Sequence, residues 1–313
     1  MAGSKEKELG KVPLRERAWF KELVFTLKRI RESPLSLAGL TIVAFFAIIA
    51  IFAPLIAPPQ PGRDPYVMPR HGYLATPKPP SDEFPFGTAE GQYDMFYGCI
   101  WGTRTAFRVG LLVVGGALAI GVTLGALSGY FGGILDEIIM RITDIMYAFP
   151  GLILAMAFVT AFGVGLDNVI KALILVGWPT YARLTRAGVL QVRQEDYVEA
   201  ARAIGASNAR ILLKHVLPNS IYPVVIVSTL DIGSMVLTAA ALSFLGLGAP
   251  IGYADWGQLI AMSRNWILGE AGNPFAYWHT YTIPGIFIFT FVLGWNLLGD
   301  AFRDILDPTL RRR

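Results

Sequence analysis

Residues 109–135 read VGLLVVGGALAIGVTLGALSGYFGGIL, a run without a single Asp, Glu, Lys or Arg. About 20 helical residues cross a hydrocarbon core of ~30 Å, so this run is long enough to span a bilayer. Four other stretches share the property: 33–62, 145–166, 232–254 and 271–299. A helix at the surface of a soluble protein needs a polar face toward water, and none of these stretches has the charges to make one. Composition agrees. Of 313 residues, 54% are hydrophobic and 16% charged, against about a quarter charged in an ordinary soluble domain. These observations predict an all-α polytopic membrane protein.

Working outward, we expect about six transmembrane helices, over 36–57, 107–130, 139–163, 166–185, 219–247 and 282–303. The fourth has a short uncharged core between Lys171 and Arg183, and Lys171 must snorkel to an interface. Orientation follows from the basic residues. With the N-terminus cytoplasmic, segments 1–35, 131–141, 183–219 and 303–313 face inward and carry 20 of the 27 Lys and Arg, while the long outward segment 248–281 carries only Arg264. The positive-inside rule therefore favours both termini inside. The basic tail and first apolar run also fit a signal peptide, but the run is long enough to span and further spans follow. The predicted organisation is a cytoplasmic tail (1–35), a first span (36–57), an extracytoplasmic loop (58–106), a membrane core (107–303) and a cytoplasmic tail (304–313).

The net charge of +4 is explained by this asymmetry and calls for no nucleic-acid partner; the partner it implies is membrane lipid. The single cysteine, Cys99, rules out an intrachain disulfide, and without a His/Cys cluster no structural zinc is expected. The loop 58–106 is dense in proline and reads as irregular structure. Gly121, Gly125 and Gly129, four apart, bare one helix face for the close approach of another helix. Pro150, Pro179, Pro223 and Pro284 stand within or near span ends, where they can kink helices around a cavity.

The most informative polar segment is 195–220, EDYVEAARAIGASNARILLKHVLPNS. Residues 195–204 form helix readily, with Glu199 spaced to pair with Arg202. Gly205 is a natural stop. Ser207 or Asn208 can cap a second helix running to about Val216, with Arg210 beside Lys214 and Ile211 beside His215. Ala200 and Ala201 give the first helix a small-residue face for docking. A plain connector needs no pair of capped helices; the shape suits a lever gripped in a partner's groove.

Glu199-Ala200-Ala201, three residues, then Gly205, and Leu217-Pro218 further on resemble the EAA loop of importer permeases of the ABC class. His215-Val216-Leu217-Pro218-Asn219 narrows the resemblance to the dipeptide/oligopeptide/nickel branch. The runs IFAPLIAP (51–58), FGT (86–88), GYFGG (129–133) with Met140-Arg141, SFLGLG (243–248), Trp256-Gly257 and LGDAFRDILDP (298–308) match in order and resemble the second of two permeases in such systems. The resemblance implies a type I importer permease fold with cytoplasmic coupling helices. Glu199, Ala200, Ala201, Gly205, His215, Leu217 and Pro218 would then contact the ATPase subunit. The implied partners are a second homologous permease, two nucleotide-binding subunits and an extracytoplasmic substrate-binding protein; the implied substrates are peptides, nickel or oligosaccharides. The chain departs from the pattern after Thr88: Ala89 stands for an acid, Gln92 for glycine and Tyr93 for arginine, with Asp94 kept. Residues 267–280 are longer than usual.

No G-x-x-x-x-G-K-[ST] loop occurs, so ATP and its Mg2+ are expected on partner subunits, with no cofactor in this chain. No HExxH, GxSxG or comparable constellation occurs either, and an enzyme is not expected. Asp231, inside the fifth expected span, is the clearest ionisable group at membrane depth; it lines the translocation path or pairs with a cation of a partner chain. Asp144 and Arg141 stand near the inner end of the third. An ion-coupled secondary transporter is the rival reading, and it would want several buried carboxylates and an inverted repeat.

Overall fold

The computed structural model of the protein describes residues 33–306. Its helices are α1 (Pro34–Ile56), α2 (Met95–Phe131), α3 (Gly133–Tyr147), α4 (Gly151–Phe162), α5 (Leu166–Val192), α6 (Asp196–Ala203), α7 (Asn208–Ile211), α8 (Leu217–Ser220), α9 (Tyr222–Phe244), α10 (Trp256–Met262) and α11 (His279–Leu306). A 3-10 turn covers Glu90–Gln92 and a π-helical turn Leu212–Val216. Among the described residues there is no strand longer than an isolated bridge. The expected all-helical, polytopic class is what the chain adopts. The basic residues of 1–32 and those of 307–313 lie outside the described residues.

Helices α1, α2, α9 and α11 are long and apolar enough to cross a membrane. The span expected over 139–163 is not one helix: α3 and α4 meet at 95° across a break at 148–150. Pro150 offers no N–H to continue α3, and its ring pushes Phe149 out of the helical region. The span expected over 166–185 is an unbroken helix to Val192, passing through Pro179. It carries Asp167, Lys171, Arg183 and Arg186 and falls short of the apolarity of the other four. Helix α2 begins at Met95 instead of 107, because the Asp94 carboxylate accepts from the Tyr97 N–H at 2.9 Å and caps it there.

Helix α2 is the axis of the fold, and its glycine stripe behaves as its spacing implies. A Cβ on Gly121 would lie 2.5 Å from the Trp178 carbonyl oxygen, and one on Gly125 2.3 Å from that of Ala182. At Gly129 it would meet Val189 Cγ1 at 2.9 Å. The three glycines thus let α5 lie backbone to backbone on α2. Toward the other end, Phe46 of α1 packs edge-on against Trp256, Phe287 and Phe291 with ring centres 5.9, 6.0 and 5.4 Å away. Trp101 Nε1 donates to the Ala57 carbonyl at 2.9 Å and Trp256 Nε1 to that of Cys99 at 3.0 Å, so these two indole edges are satisfied inside the core, whereas the buried Nε1 of Trp295, packed on Phe291, has no partner among the described residues.

The proline-rich loop folds back over this end and bridges to the α9–α10 connection at Val67 and Tyr253 and to itself at Arg70 and Tyr93. Gln92 is the only non-glycine with positive φ (59°) among the described residues. The family resembled here usually has glycine at that place, so the chain keeps a left-handed turn without the residue that favours it. The buried Gln92 side chain lies over Gly72, where a Cβ would sit 1.8 Å from its Oε1. Asp255, buried, caps α10 by accepting from the Gln258 N–H at 2.8 Å. Burial pushes its carboxyl up to about 6, against the opposing pull of the Gln258 and Gly257 N–H groups and the Ser243 hydroxyl.

Candidate functional site

The opposite end of the bundle is built around the loop that follows α5. Two alternating sets of residues shape it. Val198, Ala201, Ile211, Leu212 and Val216 turn inward and pack with Ala126 and Tyr130 of α2 and Val189 of α5. Glu199, Ala200, Arg202, Ala203 and Ile204 turn outward. The small-residue face expected from Ala200 and Ala201 is therefore split, with Ala201 anchoring α6 and Ala200 presented. Gly205 stops α6 with φ +83°; its N–H reaches the Arg202 carbonyl at 3.0 Å and that of Ala206 reaches Ala201 at 3.1 Å. This pair of bonds closes the helix end only with a left-handed residue at the corner.

The second helix is shorter than expected. Ser207 Oγ accepts from the Arg210 N–H and starts it. Asn208, the other capping candidate, instead accepts from the Tyr130 hydroxyl at 3.0 Å and ties the loop to α2. After Ile211 the backbone widens into the π-helical turn 212–216 before α8. Pro218 accounts for this, since in a regular helix its ring would strike the carbonyl four residues back, that of Lys214. Helix α8 then lies against α5 at Gly188, where a Cβ would be 2.7 Å from the Ser220 carbonyl oxygen.

Of the residues singled out in the sequence, Glu199, Ala200, Gly205 and Pro218 are exposed, His215 and Leu217 half-buried and Ala201 buried. Glu199 makes no ion pair with Arg202 among the described residues, so the local pairing that its spacing suggested is absent. Sequence reasoning passed over two of the apolar residues this loop displays, Leu213 (62% exposed) and Tyr197 (44%); the third, Ile204, which flanks the small-residue face of Ala200 and Ala201, is 86% exposed. Their signal was their position, off the inward faces set by Val198 and Ala201 in α6 and by Ile211, Leu212 and Val216 further on.

It also passed over the polar fasteners behind the loop. Arg193 Nη1 donates to the carbonyls of Gly129 (2.8 Å) and Tyr130 (3.3 Å), closing the end of α2. Arg186 holds both oxygens of Asp136 on α3, at 2.6 and 2.7 Å, and the Ser128 hydroxyl of α2 bonds to the same carboxylate. Asp144 pairs with Arg183 at 2.5 Å, and that guanidinium lies 4.3 Å from the Tyr147 ring centre. Within the bundle, the buried Tyr181 hydroxyl donates to Asp231 Oδ2 at 2.8 Å, so Asp231 has a partner inside its own chain.

A preformed loop packed on α2 and α5, presenting Ile204 beside Glu199 and Arg202 at one end of a bundle of membrane-length apolar helices, fits a transport subunit. A family model described as binding-protein-dependent transport system inner membrane component matches residues 121–312, and one described as the N-terminal TM domain of oligopeptide transport permease C matches residues 25–77. The chain belongs to this family of ABC importer permeases and is a multi-pass inner-membrane protein. It is 39% identical over 289 residues to the dipeptide transport system permease protein DppC of Alkalihalophilus pseudofirmus, covering 91% of this chain and 89% of that one. It is 40% identical to the probable D,D-dipeptide transport system permease protein DdpC of Escherichia coli (92% and 91% covered) and 34% to the oligopeptide transport system permease protein OppC of Bacillus subtilis (91% and 88%). Among solved structures, the inward-facing MetNI methionine ABC transporter shares the fold at a TM-score of 0.54 and 21% identity, over 68% of this chain and 98% of that chain. The secondary-transporter reading finds no support among these relatives.

Proposed function

We propose that this chain is one of two permeases that form a peptide path across the inner membrane, opened alternately to each side by ATPase subunits gripping the loop 195–218. One observation carries the reading. The loop is held rigid from behind by Val198, Ala201, Ile211 and Val216 while it presents Ile204, Leu213 and Tyr197 to the surroundings. Exposed apolar side chains on a preformed scaffold are what a hydrophobic groove receives without an ordering penalty. Glu199, Ala200 and Gly205 lie on the gripped face; Ala201, His215, Leu217 and Pro218 set its shape.

The loop faces the cytoplasm, because that orientation puts 20 of the 27 Lys and Arg inside. ATP and Mg2+ sit on the separate subunits, since this chain has no phosphate-binding loop. The loop packs on α2 and α5 and is tied to α2 by Tyr130 and Asn208, and its movement spreads because Arg193 holds the end of α5 to α2 and the Ser128–Asp136–Arg186 cluster fastens α2, α3 and α5 to one another. An extracytoplasmic binding protein delivers the substrate, and the peptide class is suggested by the relatives named above.

The test is an Ile204→Cys variant, for which the buried Cys99 gives little background. An impermeant maleimide should label it only from the cytoplasmic side and only after the ATPase subunits are stripped away. Labelling from outside, or equal labelling with and without those subunits, overturns the reading.

A further inference from the structure

At the end remote from this loop, the proline-rich segment, the last turn of α9 and α10 enclose an open cleft of about 710 Å³, within the range of small-ligand sites. Two guanidinium groups line it. Arg70 lies 4.6 Å from the Tyr73 ring centre and 5.2 Å from that of Tyr93, and its Nε donates to the Gly91 carbonyl at 2.7 Å. Gly91 leaves room for the fork, since a Cβ there would come within 3.2 Å of Arg70 Nη2. Arg264, also in the lining, stacks over Phe244 at 4.3 Å. Neither arginine forms an ion pair among the described residues. The one carboxylate in the cleft wall, Glu90, is already held by Trp266 Nε1 at 2.9 Å and Asn265 Nδ2 at 3.2 Å.

We infer that this cleft is a transient site for the substrate's terminal carboxylate as a peptide enters the membrane path. A guanidinium fixed on aromatic faces keeps its planar donor fork aimed while shedding part of its hydration, and a carboxylate is the anion that matches that fork. The two arginines outnumber the one carboxylate, Glu90, so the lining carries a net positive charge in a concavity, which concentrates anions there. Ile251 and Val164, also on the wall, give an apolar surface for a peptide side chain. The inference rests on the reading of the chain as a peptide permease with this end outward.

The test uses the assembled transporter in lipid nanodiscs, with dialanine and dialanine amide as probes and saturation-transfer NMR as the readout. Dialanine should bind at millimolar strength and the amide about tenfold more weakly, because a charged hydrogen-bonded contact is lost. Arg70→Gln and Arg264→Gln should each weaken dialanine about tenfold, Arg70→Lys less, and Arg63→Gln, outside the cleft, not at all. Equal binding of the two probes, or unchanged binding in Arg70→Gln and Arg264→Gln, overturns the inference. So does a result in which these variants keep dialanine but lose capture of the soluble binding protein, because the carboxylate then belongs to that protein. Lost discrimination with cellular peptide uptake intact sinks the cleft and leaves the permease reading standing; discrimination without uptake supports the cleft and counts against the permease.

Discussion

Arg186 of α5 grips Asp136 of α3 through both carboxylate oxygens, Nε to Oδ1 at 2.6 Å and Nη2 to Oδ2 at 2.7 Å. The Ser128 hydroxyl brings α2 to the same carboxylate, so one acid fastens three helices just behind the loop 195–218. One turn of α5 away, Arg183 holds Asp144 further along α3. Two clamps set two turns apart on α3 fix it across the end of α5, which is consistent with the 95° turn into α4. A force on the loop therefore meets a stiff joint.

Breaking the first clamp should be felt beyond its own energy. Asp136→Ala leaves a guanidinium whose side chain is 33% exposed without its partner, at a cost of about 1–3 kcal/mol once partial solvation is allowed for. Arg186→Lys keeps the charge and loses the two-pronged geometry, so it should fall between. Thermal unfolding of the detergent-solubilised complex measures the cost. The ratio of peptide uptake to ATP hydrolysis should drop in both variants, and the double Asp136→Ala/Arg186→Ala variant should recover stability more than coupling.

Gly205 separates shape from space. Nothing lies within 4 Å of a Cβ built there, but φ is +83°, so any substitution acts through the backbone alone. Gly205→Val should cost about 1 kcal/mol or more at the turn, displace Ile204 and reduce uptake while assembly in the membrane persists. Gly205→Asn, which tolerates the left-handed region, should retain most activity. Equal transport by the valine variant would remove the turn from the coupling mechanism.

The membrane class was legible because it rests on one-dimensional facts: charge-free length and the i, i+4 row of Gly121, Gly125 and Gly129. The bend at 148–150 was not, since apolarity continues through Phe149 and Pro150 and periodicity does not see an angle. The start of α2 at Met95 lies outside what a charge-free run such as 109–135 can indicate, because a helix can project beyond the bilayer when a cap such as Asp94 starts it. In the loop 195–218, Gly205 and Ser207 carry local backbone rules and were readable. The outward turn of Ala200 and Ile204 depends on which face α2 and α5 cover, and that is a tertiary fact.

The glycine stripe allows a sharp contrast within one helix. A Cβ on Gly125 would sit 2.3 Å from a backbone oxygen of α5 that has nowhere to go, whereas Gly115 has nothing within 4 Å. Gly125→Ala should push α5 off α2 and destabilise by about 1–3 kcal/mol; Gly115→Ala should be neutral or stabilise by about 0.5–1 kcal/mol through the helix backbone. Melting temperatures of the two variants, measured side by side, should move in opposite directions or differ by several degrees.

Asp255 supplies a pH dependence with a definite sign. Unfolded, its carboxyl titrates near 4; folded, burial pushes it up to about 6. Between these values the folded chain holds a proton that the unfolded chain has released, so this group's contribution to stability falls as pH rises from about 4 to about 6 and is level above that. Asp255→Asn keeps a good cap for α10 and removes the titration. It should flatten that part of the stability profile, measured by thermal melts from pH 4 to pH 7, and leave the variant at least as stable at pH 7.

Asp231 and Tyr181 invite a last experiment, because two roles for the carboxylate give different orders of tolerance. As an anchor for the buried Tyr181 hydroxyl 2.8 Å away, Asp231 needs an acceptor and nothing more. Asp231→Asn then keeps uptake near normal, Asp231→Leu strands the hydroxyl at a cost of about 1–3 kcal/mol, and Tyr181→Phe is mild. As a charged group in the path it needs the negative charge, and Asn should be as damaging as Leu while Tyr181→Phe changes affinity for the transported peptide. The half-buried state of Asp231 beside a wholly buried Tyr181 favours the anchor, since one oxygen is committed to the protein and the charge faces no cation among the described residues. We therefore expect Asp231→Asn to retain at least about half of wild-type uptake, a loss of well under 1 kcal/mol, with Asp231→Leu clearly impaired.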